Sequence, residues 1–310
     1  MRFLVVGGAG FIGSNIVKAL EESYPKAKVF VLDNFSSGHF KNLLGFRGEV
    51  ITGDLSDAQL WDWLKRNYHF DAVFHQGAIT DTTVMDQFLM LRVNADSLRY
   101  ILDAVLSWKA KLVYASSAGV YGNSPAPNRE EEGLMPENPY GFSKLMMDRI
   151  AQGFMEENHH IKVVGLRYFN VYGPGESYKG KTASMVYQLY LQMKQGKRPR
   201  LFKWGEQKRD FVYIKDVVKA NLLALEKDVS GIFNIATGTA RSFNEIVDIL
   251  NRYLGMNYEP EYFDCPYDFY QNYTQADISK AKEKLGYEPS YSLEDGIREY
   301  LELLGERIRA

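Results

Sequence analysis

Phe3-Leu4-Val5-Val6-Gly7-Gly8-Ala9-Gly10-Phe11-Ile12-Gly13 is the stretch on which the reading of this 310-residue chain turns. Four apolar residues in a row read as a buried strand of a parallel sheet. Glycines at 7, 10 and 13 follow at once, and Asn15, Ile16, Val17 and Leu20 then carry a helix-like pattern. The glycines permit a tight strand-to-helix turn and let a pyrophosphate approach the backbone. The helix start adds free N–H groups and the positive end of a dipole. A glycine turn alone can be structural, but a strand before it and a helix after it favour a dinucleotide site.

The same rhythm continues downstream. Val29–Leu32 is a second strand ending in Asp33-Asn34, where a carboxylate normally accepts hydrogen bonds from the adenosine ribose and favours NAD over NADP. Ser36, Ser37, His39 and Lys41 follow closely, and Lys41 is placed to meet a 2′-phosphate, so the residues leave both cofactors open. Val50-Ile51 leads to Gly53-Asp54-Leu55, with Asp54 set to meet the adenine edge. Ala72-Val73-Phe74 runs into His75-Gln76-Gly77-Ala78, whose small residues let a cofactor lie against the strand end, while His75 reads as a packing residue. Asn94 falls in a long helix expected over roughly Asp86 to Trp108. Lys111–Tyr114 leads to Ser116 and Ser117, hydroxyls at the carboxyl end of a central strand, where open parallel sheets bind ligands.

The segment from Asn123 to Pro139 is rich in Pro, Asn and Glu and reads as too polar for core. Pro139 then opens a helix that sets Tyr140 and Lys144 four apart on one face. An ammonium under a phenol favours the phenolate and is expected to pull the tyrosine pKa from about 10 towards neutrality, making Tyr140 a general base. A sixth strand, Val163–Leu166, completes an alternation that predicts an α/β fold, a doubly wound parallel sheet with helices on both faces. Beyond about residue 175 the alternation breaks. The expected division is a dinucleotide-binding domain over 1–174, with 210–240 returning to it, and a smaller C-terminal substrate-binding domain over 175–310. Gly196–Arg200 reads as a basic turn and Gly255–Pro266 as irregular.

Bulk properties narrow the functional class. A formal net charge of −2 gives no reason to expect nucleic acid or an anionic membrane as partner. The one cysteine, Cys265, excludes an intramolecular disulfide and a cysteine-based zinc cluster, and no metal site is expected. Met1-Arg2 leads straight into a strand with no signal-peptide pattern, and no apolar run approaches the roughly 18 residues of a membrane span. A cytoplasmic setting is the expectation.

Taken in order and spacing, Gly7–Gly13, Asp33, Asp54, Ser117, Tyr140 with Lys144, and Arg167–Pro174 resemble the extended short-chain dehydrogenases/reductases of the NAD-dependent epimerase/dehydratase group. The resemblance covers essentially the whole chain and implies a Rossmann sheet. It also implies a catalytic triad: Ser117 holds the reacting hydroxyl or carbonyl, Tyr140 moves the proton, and Lys144 lowers the tyrosine pKa and grips the nicotinamide ribose. The cofactor contacts it implies are Gly7, Gly10, Phe11, Ile12, Gly13, Asp33, Asn34, Lys41, Asp54, Leu55, Gln76, Gly77, Ala78, Asn94, Tyr140, Lys144 and Val171.

Two further segments, Glu176-Ser177-Tyr178-Lys179-Gly180 and Thr274-Gln275-Ala276-Asp277, are similar to the ADP-L-glycero-D-manno-heptose 6-epimerases, a subgroup serving lipopolysaccharide core biosynthesis. That likeness implies NADP, a nucleotide-sugar substrate, a homo-oligomer (pentamers among them) and Lys179 as a second acid/base group. It implies substrate contacts at Ser117, Asn170, Lys179, Lys181, Gln188, Phe202, Arg209 and Tyr270. Phe40, with Lys41 beside it, stands near where that subgroup carries a lysine for the 2′-phosphate, and Asn123–Pro127 and Asp264–Asp268 match no pattern. The implied chemistry inverts a secondary alcohol carbon by transient oxidation to a ketone with bound NAD(P) and return of hydride to the opposite face. The alternatives are another nucleotide-sugar epimerase such as a UDP-hexose 4-epimerase, which would not need Lys179; a 4,6-dehydratase, which usually carries an acidic pair where this chain has Ala118-Gly119; and a non-catalytic cofactor-binding regulator, which typically loses the tyrosine or lysine.

Overall fold

A computed structural model describes residues 1–266 and 270–309; Tyr267 and Asp268 of the unmatched segment lie outside the described residues. The chain runs β1 (Arg2–Val6), α1 (Phe11–Ser23), β2 (Lys28–Asp33), β3 (Glu49–Thr52), α2 (Ala58–Asn67), β4 (Ala72–His75), α3 (Gln87–Met90), α4 (Ser97–Trp108), β5 (Lys111–Ser117), α5 (Pro139–Glu157) and β6 (Val163–Tyr168). It continues with β7 (Asn170–Tyr172), α6 (Met185–Lys194), β8 (Arg200–Phe202), β9 (Lys208–Tyr213), α7 (Ile214–Glu226), β10 (Gly231–Ile235), β11 (Ala240–Ser242), α8 (Phe243–Leu254), β12 (Glu261–Phe263), α9 (Ser279–Leu285) and α10 (Leu293–Leu303).

Seven strands form a single sheet in the order β10-β6-β5-β4-β1-β2-β3, and every pairing in it is parallel. Side chains alternate across it, as the period of two requires. Phe3, Val5 and Phe74 pack with Ile16 and Val17 of α1 and Val217 of α7, whereas Leu4, Val6 and Val73 pack with Trp61 of α2, Leu98 of α4 and Met147 of α5. Strand order reverses at the β1/β4 boundary. Ligands of such sheets bind outside the carboxyl ends of the strands at that point. Register sets Val6 opposite Leu32 and His75, so Gly7, Asp33 and Gln76 leave the sheet at one common edge.

The smaller sheets, β11-β9-β7 and β12-β8, lie in the C-terminal half. β9 and α7 lead back to β10, which pairs with β6 at one edge of the large sheet. Three expectations need correction. Arg200 heads β8 and is not part of a turn, and β12 lies inside the stretch read as irregular. The polar 123–139 segment buries Asn128 and Glu130, because Glu130 Oε1 accepts the Asn234 N–H and the Glu130 carbonyl accepts from Arg167.

Helix α5 begins as Pro139 suggested. The Asn138 side chain caps it by accepting the Gly141 N–H. A Cβ on Gly141 would lie 2.4 Å from the Gly119 carbonyl oxygen, so only glycine lets the helix start close onto the turn after Ser117. Tyr140, Lys144 and Asp148 then occupy successive turns of one face. Asp148 is buried and pairs with buried Arg167 of β6 at 2.8 Å. It also accepts from the hydroxyls of Tyr114 and Ser116 on β5. Removing one member of such a pair leaves an uncompensated buried charge. Arg167→Met should therefore lower the free energy of unfolding by about 3–5 kcal/mol in urea denaturation, and adding Asp148→Asn should recover part of the loss. An unchanged midpoint in the single variant would contradict this.

Candidate active site

Two cavities meet at the carboxyl edge of the sheet. The first, about 560 Å³, runs over the glycine turn and is lined by Gly7, Gly10, Phe11, Ile12, Gly13, Asp33, Asn34, Asp54, Leu55, Gln76, Gly77 and Ala78. The backbone here is too close for side chains. A Cβ would lie 2.5 Å from the Gly77 nitrogen if built on Gly7, and 2.2 Å from the Gly7 carbonyl oxygen if built on Gly13. Helix α1 starts at Gly10 with no side-chain cap, so its first N–H groups face the cavity free of a protein acceptor from that position. This shape and donor set fit a dinucleotide with its pyrophosphate over the turn. Buried Asp33 accepts the N–H groups of Ala9 (2.9 Å) and Phe35 (2.8 Å), which shapes the loop at the ribose end.

Of the expected cofactor contacts, Tyr140, Lys144 and Val171 line the second cavity instead, and Lys41 and Asn94 line neither. The Lys41 ammonium instead sits 5.9 Å from the centre of the Tyr178 ring. Asn94 lies in a π-helical turn, Leu91–Asp96, between α3 and α4. That turn points its amide inward, where it exchanges hydrogen bonds with Ile79 N and O and donates to Ser143 Oγ on α5. Asn94 therefore braces the loop after β4. Arg92 and Tyr178 line the cavity and were not anticipated. Arg92 was masked by the helical period around it; Tyr178 was legible only as a neighbour of Lys179.

The second cavity, about 700 Å³, is lined by Ser117, Tyr140, Lys144, Asn170, Val171, Lys179, Lys181, Gln188, Phe202, Arg209 and Tyr270. It thus gathers residues 117 to 270 that are scattered through the sequence, and Phe11, Ile12, Gln76, Ala78, Lys179 and Thr182 line both cavities. Arg200, Phe243 and Phe263 also line the second cavity. Arg200 and Phe202 share one face of β8, a pairing hidden while Arg200 was read as part of a turn. Arg209 is buried, donates to the Lys208 carbonyl, and lies 4.9 Å from the centre of the Tyr270 ring and 5.7 Å from that of Phe243. No carboxylate pairs with it among the described residues, which leaves a desolvated guanidinium suited to an anion.

The electrostatics of the triad differ from the expectation. Burial pushes the Tyr140 phenol up from its ordinary value, with the hydrogen-bonded Ser117 hydroxyl pulling the other way. Lys144 is not among the groups acting on it. The Lys144 ammonium donates to the Ala115 carbonyl at 2.8 Å, and burial pushes that lysine down to about 8, with the Asp148 carboxylate opposing. His75 is held neutral, its pKa pushed to about 3 by burial and by the Lys144 charge. At the rim, Lys181 pairs with Asp81 at 2.9 Å and links the loop after β4 to the loop before α6. Gln188 donates to the Ala183 and Lys181 carbonyls and fastens the same loop. Burial lowers the pKa of Lys179, while Glu176 raises it.

Among the described residues, no group of three or more His, Cys, Asp or Glu could hold a metal ion, and no helix is long and apolar enough to cross a membrane. Residues 3–236 match the model of the NAD dependent epimerase/dehydratase family. The chain is 41% identical to an ADP-L-glycero-D-manno-heptose-6-epimerase of Brachyspira hyodysenteriae, covering 97% of each chain. Its structure is similar to that of the Helicobacter pylori ADP-L-glycero-D-manno-heptose-6-epimerase, with a TM-score of 0.92 and 48% identity over 98% of this chain and 96% of that one. It is also similar to a UDP-glucose 4-epimerase of Thermotoga maritima, with a TM-score of 0.91 and 33% identity over 98% and 99%. With a dinucleotide cradle, a Ser–Tyr–Lys set on β5 and α5, and this family match over most of its length, the chain belongs to the NAD-dependent epimerase/dehydratase family.

Proposed function

We propose that this chain is an isomerase that converts ADP-D-glycero-D-manno-heptose to ADP-L-glycero-D-manno-heptose at C6. The observation that carries the reading is Lys179: it lines both cavities and shares the second with Tyr140. Inversion through a flat ketone needs proton transfer to and from oxygen in two substrate orientations, and two separate acid/base groups meet that need. The near-full-length likeness to two heptose 6-epimerases supports the substrate.

A nicotinamide dinucleotide held over Gly7, Gly10 and Gly13 in the first cavity would supply reversible hydride transfer at C6. Tyr140 takes the proton of the C6 hydroxyl while Ser117 holds the oxygen. Lys179 gives a proton to the carbonyl oxygen in the second orientation, eased by the burial that lowers its pKa. Arg209 grips the diphosphate with Tyr270 beside it, 4.9 Å from the guanidinium to the ring centre, and Phe202 packs against the adenine. Asn170 and Lys181 bond the sugar and phosphates at the chamber mouth. Residues 1–174 with 210–240 hold the cofactor, and the remainder holds the substrate.

For the cofactor, the heptose epimerase likeness points to NADP, whereas the geometry around Asp33 favours NAD. A 2′-phosphate would meet the Asp33 carboxylate and the neighbouring Asn34–Asp54 hydrogen bond, with the Lys41 ammonium turned to Tyr178. The expected surroundings are cytoplasmic and the expected assembly a homo-oligomer, a pentamer by resemblance.

Three outcomes check this reading. Incubated with ADP- and UDP-sugars and followed by NMR, the protein should invert C6 of the ADP-heptose; turnover of UDP-galactose alone would exclude that substrate. Tyr140→Phe and Lys179→Met should each slow the reaction by about 10²–10⁴-fold with cofactor still bound, and near-normal turnover of Lys179→Met would remove it from the mechanism. Fluorescence titration should show NAD binding at least about tenfold tighter than NADP, a difference of about 1.4 kcal/mol. Equal or tighter NADP binding would reverse the cofactor assignment.

A further inference from the structure

The loop that carries Lys179 is closed by a carboxylate the mechanism has not used. Glu176 is fully buried. Its Oε1 accepts the Gly173 N–H at 3.0 Å and the Ser184 hydroxyl at 2.9 Å, and its Oε2 accepts the Ser184 N–H at 2.5 Å. One side chain thus ties the two ends of the 173–184 segment together. Inside that ring the Lys179 N–H donates to the Glu176 carbonyl and the Thr182 N–H to the Lys179 carbonyl. Gly173, Gly175 and Gly180 supply positive φ values of 139°, 101° and 56° that let the segment double back. The ring is pinned to the cofactor side as well: Asn15 donates to the Pro174 carbonyl and Asn42 to the Gly175 carbonyl. The Lys179 ammonium ends 5.6 Å from the centre of the Phe11 ring, at the first residue of α1.

Such a buried carboxylate is costly to keep charged unless hydrogen bonds and an opposite charge compensate it. The three hydrogen bonds supply the first. The groups that act on Glu176 or feel its charge are Lys179 and Tyr187 of α6 and Tyr300 of α10, and Lys179 is the cation among them. Glu176 is in turn the charge that opposes the effect of burial on Lys179. The two groups therefore stabilise each other's ionised form across three residues of chain.

We propose that Glu176 is the positioning residue for Lys179: its carboxylate closes the 173–184 loop into a ring that holds the lysine at the junction of the two cavities, and its charge favours the lysine's protonated form against the effect of burial. The inference rests on the reading of Lys179 as the second acid/base group. It separates two contributions, geometry and charge, which different variants remove. Glu176→Gln keeps the length and removes the charge. Glu176→Asp keeps the charge but is one methylene too short to span Gly173 and Ser184 together.

The sign follows from electrostatics. A carboxylate beside an ammonium raises the ammonium's pKa, so its removal lets burial push Lys179 lower. The experiment is the pH profile of kcat for epimerisation in the whole enzyme, with bound cofactor measured by its fluorescence. The limb that Lys179→Met abolishes should move to lower pH by about one unit or more in Glu176→Gln. In Glu176→Asp, kcat should fall at least tenfold with the limb in place and KM within threefold. If folded Glu176→Gln keeps the wild-type limb while Lys179→Met is inactive, the charge role is overturned and the Lys179 reading stands. Should Glu176→Gln fail to fold, wild-type kcat in Glu176→Asp would overturn the positioning role by itself. Near-normal turnover of Lys179→Met would instead sink the underlying reading, and this inference with it.

Discussion

The buried pair between Asp148 and Arg167 is the contact through which sheet, helix and reaction chamber are fixed relative to one another. Asp148 reaches α5 to β5 through Tyr114 and Ser116 and to β6 through Arg167. Arg167 extends the network to the Tyr121 hydroxyl and the Glu130 carbonyl, and Tyr121 continues to Asn234 of β10. Buried ion pairs are a poor source of net stability, because desolvation offsets most of their attraction. What this one supplies is registry. Ser117 ends the strand on which Ser116 is held, and Tyr140 and Lys144 lie two turns and one turn before Asp148 on α5. A slip of α5 along β5 would break several hydrogen bonds to a carboxylate at once, which is costlier than the same slip across an apolar seam.

Close backbone packing does comparable work at the cofactor end. The approach of Gly7 to Gly77 and of Gly13 to Gly7 leaves no room for a side chain, so α1 starts directly beside the ends of β1 and β4. These contacts explain why the glycine spacing is legible in the sequence alone. The Gly13–Gly7 approach is local in sequence, and each of these close approaches demands one residue type. The alternation of strands and helices is legible for a similar reason, since burial on both faces of a parallel sheet writes continuous apolar runs into the chain.

What could not be read has a different physical origin. Glu130 and Asn128 looked like solvated loop residues because polarity was weighed without partners. Their burial depends on Asn234 and Arg167, which are distant in sequence. Arg200 was hidden because β8 is three residues long and pairs with β12 across some 60 residues of chain. Asn94 braces the loop after β4 only because a π-turn that no propensity encodes turns its amide inward. The chamber residues Ser117, Asn170, Lys179, Lys181, Gln188, Phe202, Arg209 and Tyr270 do converge on one cavity. Their grouping came from a pattern shared with relatives and not from any periodicity in the chain.

The two lysines of the site, Lys144 buried and Lys179 half-buried, show why neither can be understood from spacing alone. Lys144 and Lys179 are both pushed down by burial, and each is opposed by a carboxylate close in sequence: Asp148 four residues on, Glu176 three residues back. The carboxylates differ in what else they hold. Asp148 shares its charge with Arg167, so the pull it can exert on Lys144 is divided. Glu176 has no such competitor among its hydrogen-bond partners, which are two backbone amides and a hydroxyl. Lys144 is thereby suited to donate hydrogen bonds from a fixed position, as it does to Ala115. Lys179 and Glu176 each favour the other's ionised form. The i, i+4 spacing places Tyr140 and Lys144 on α5 at one cavity, but burial dominates the tyrosine there. Tyr140 is raised by burial, with the hydrogen-bonded Ser117 hydroxyl opposing it.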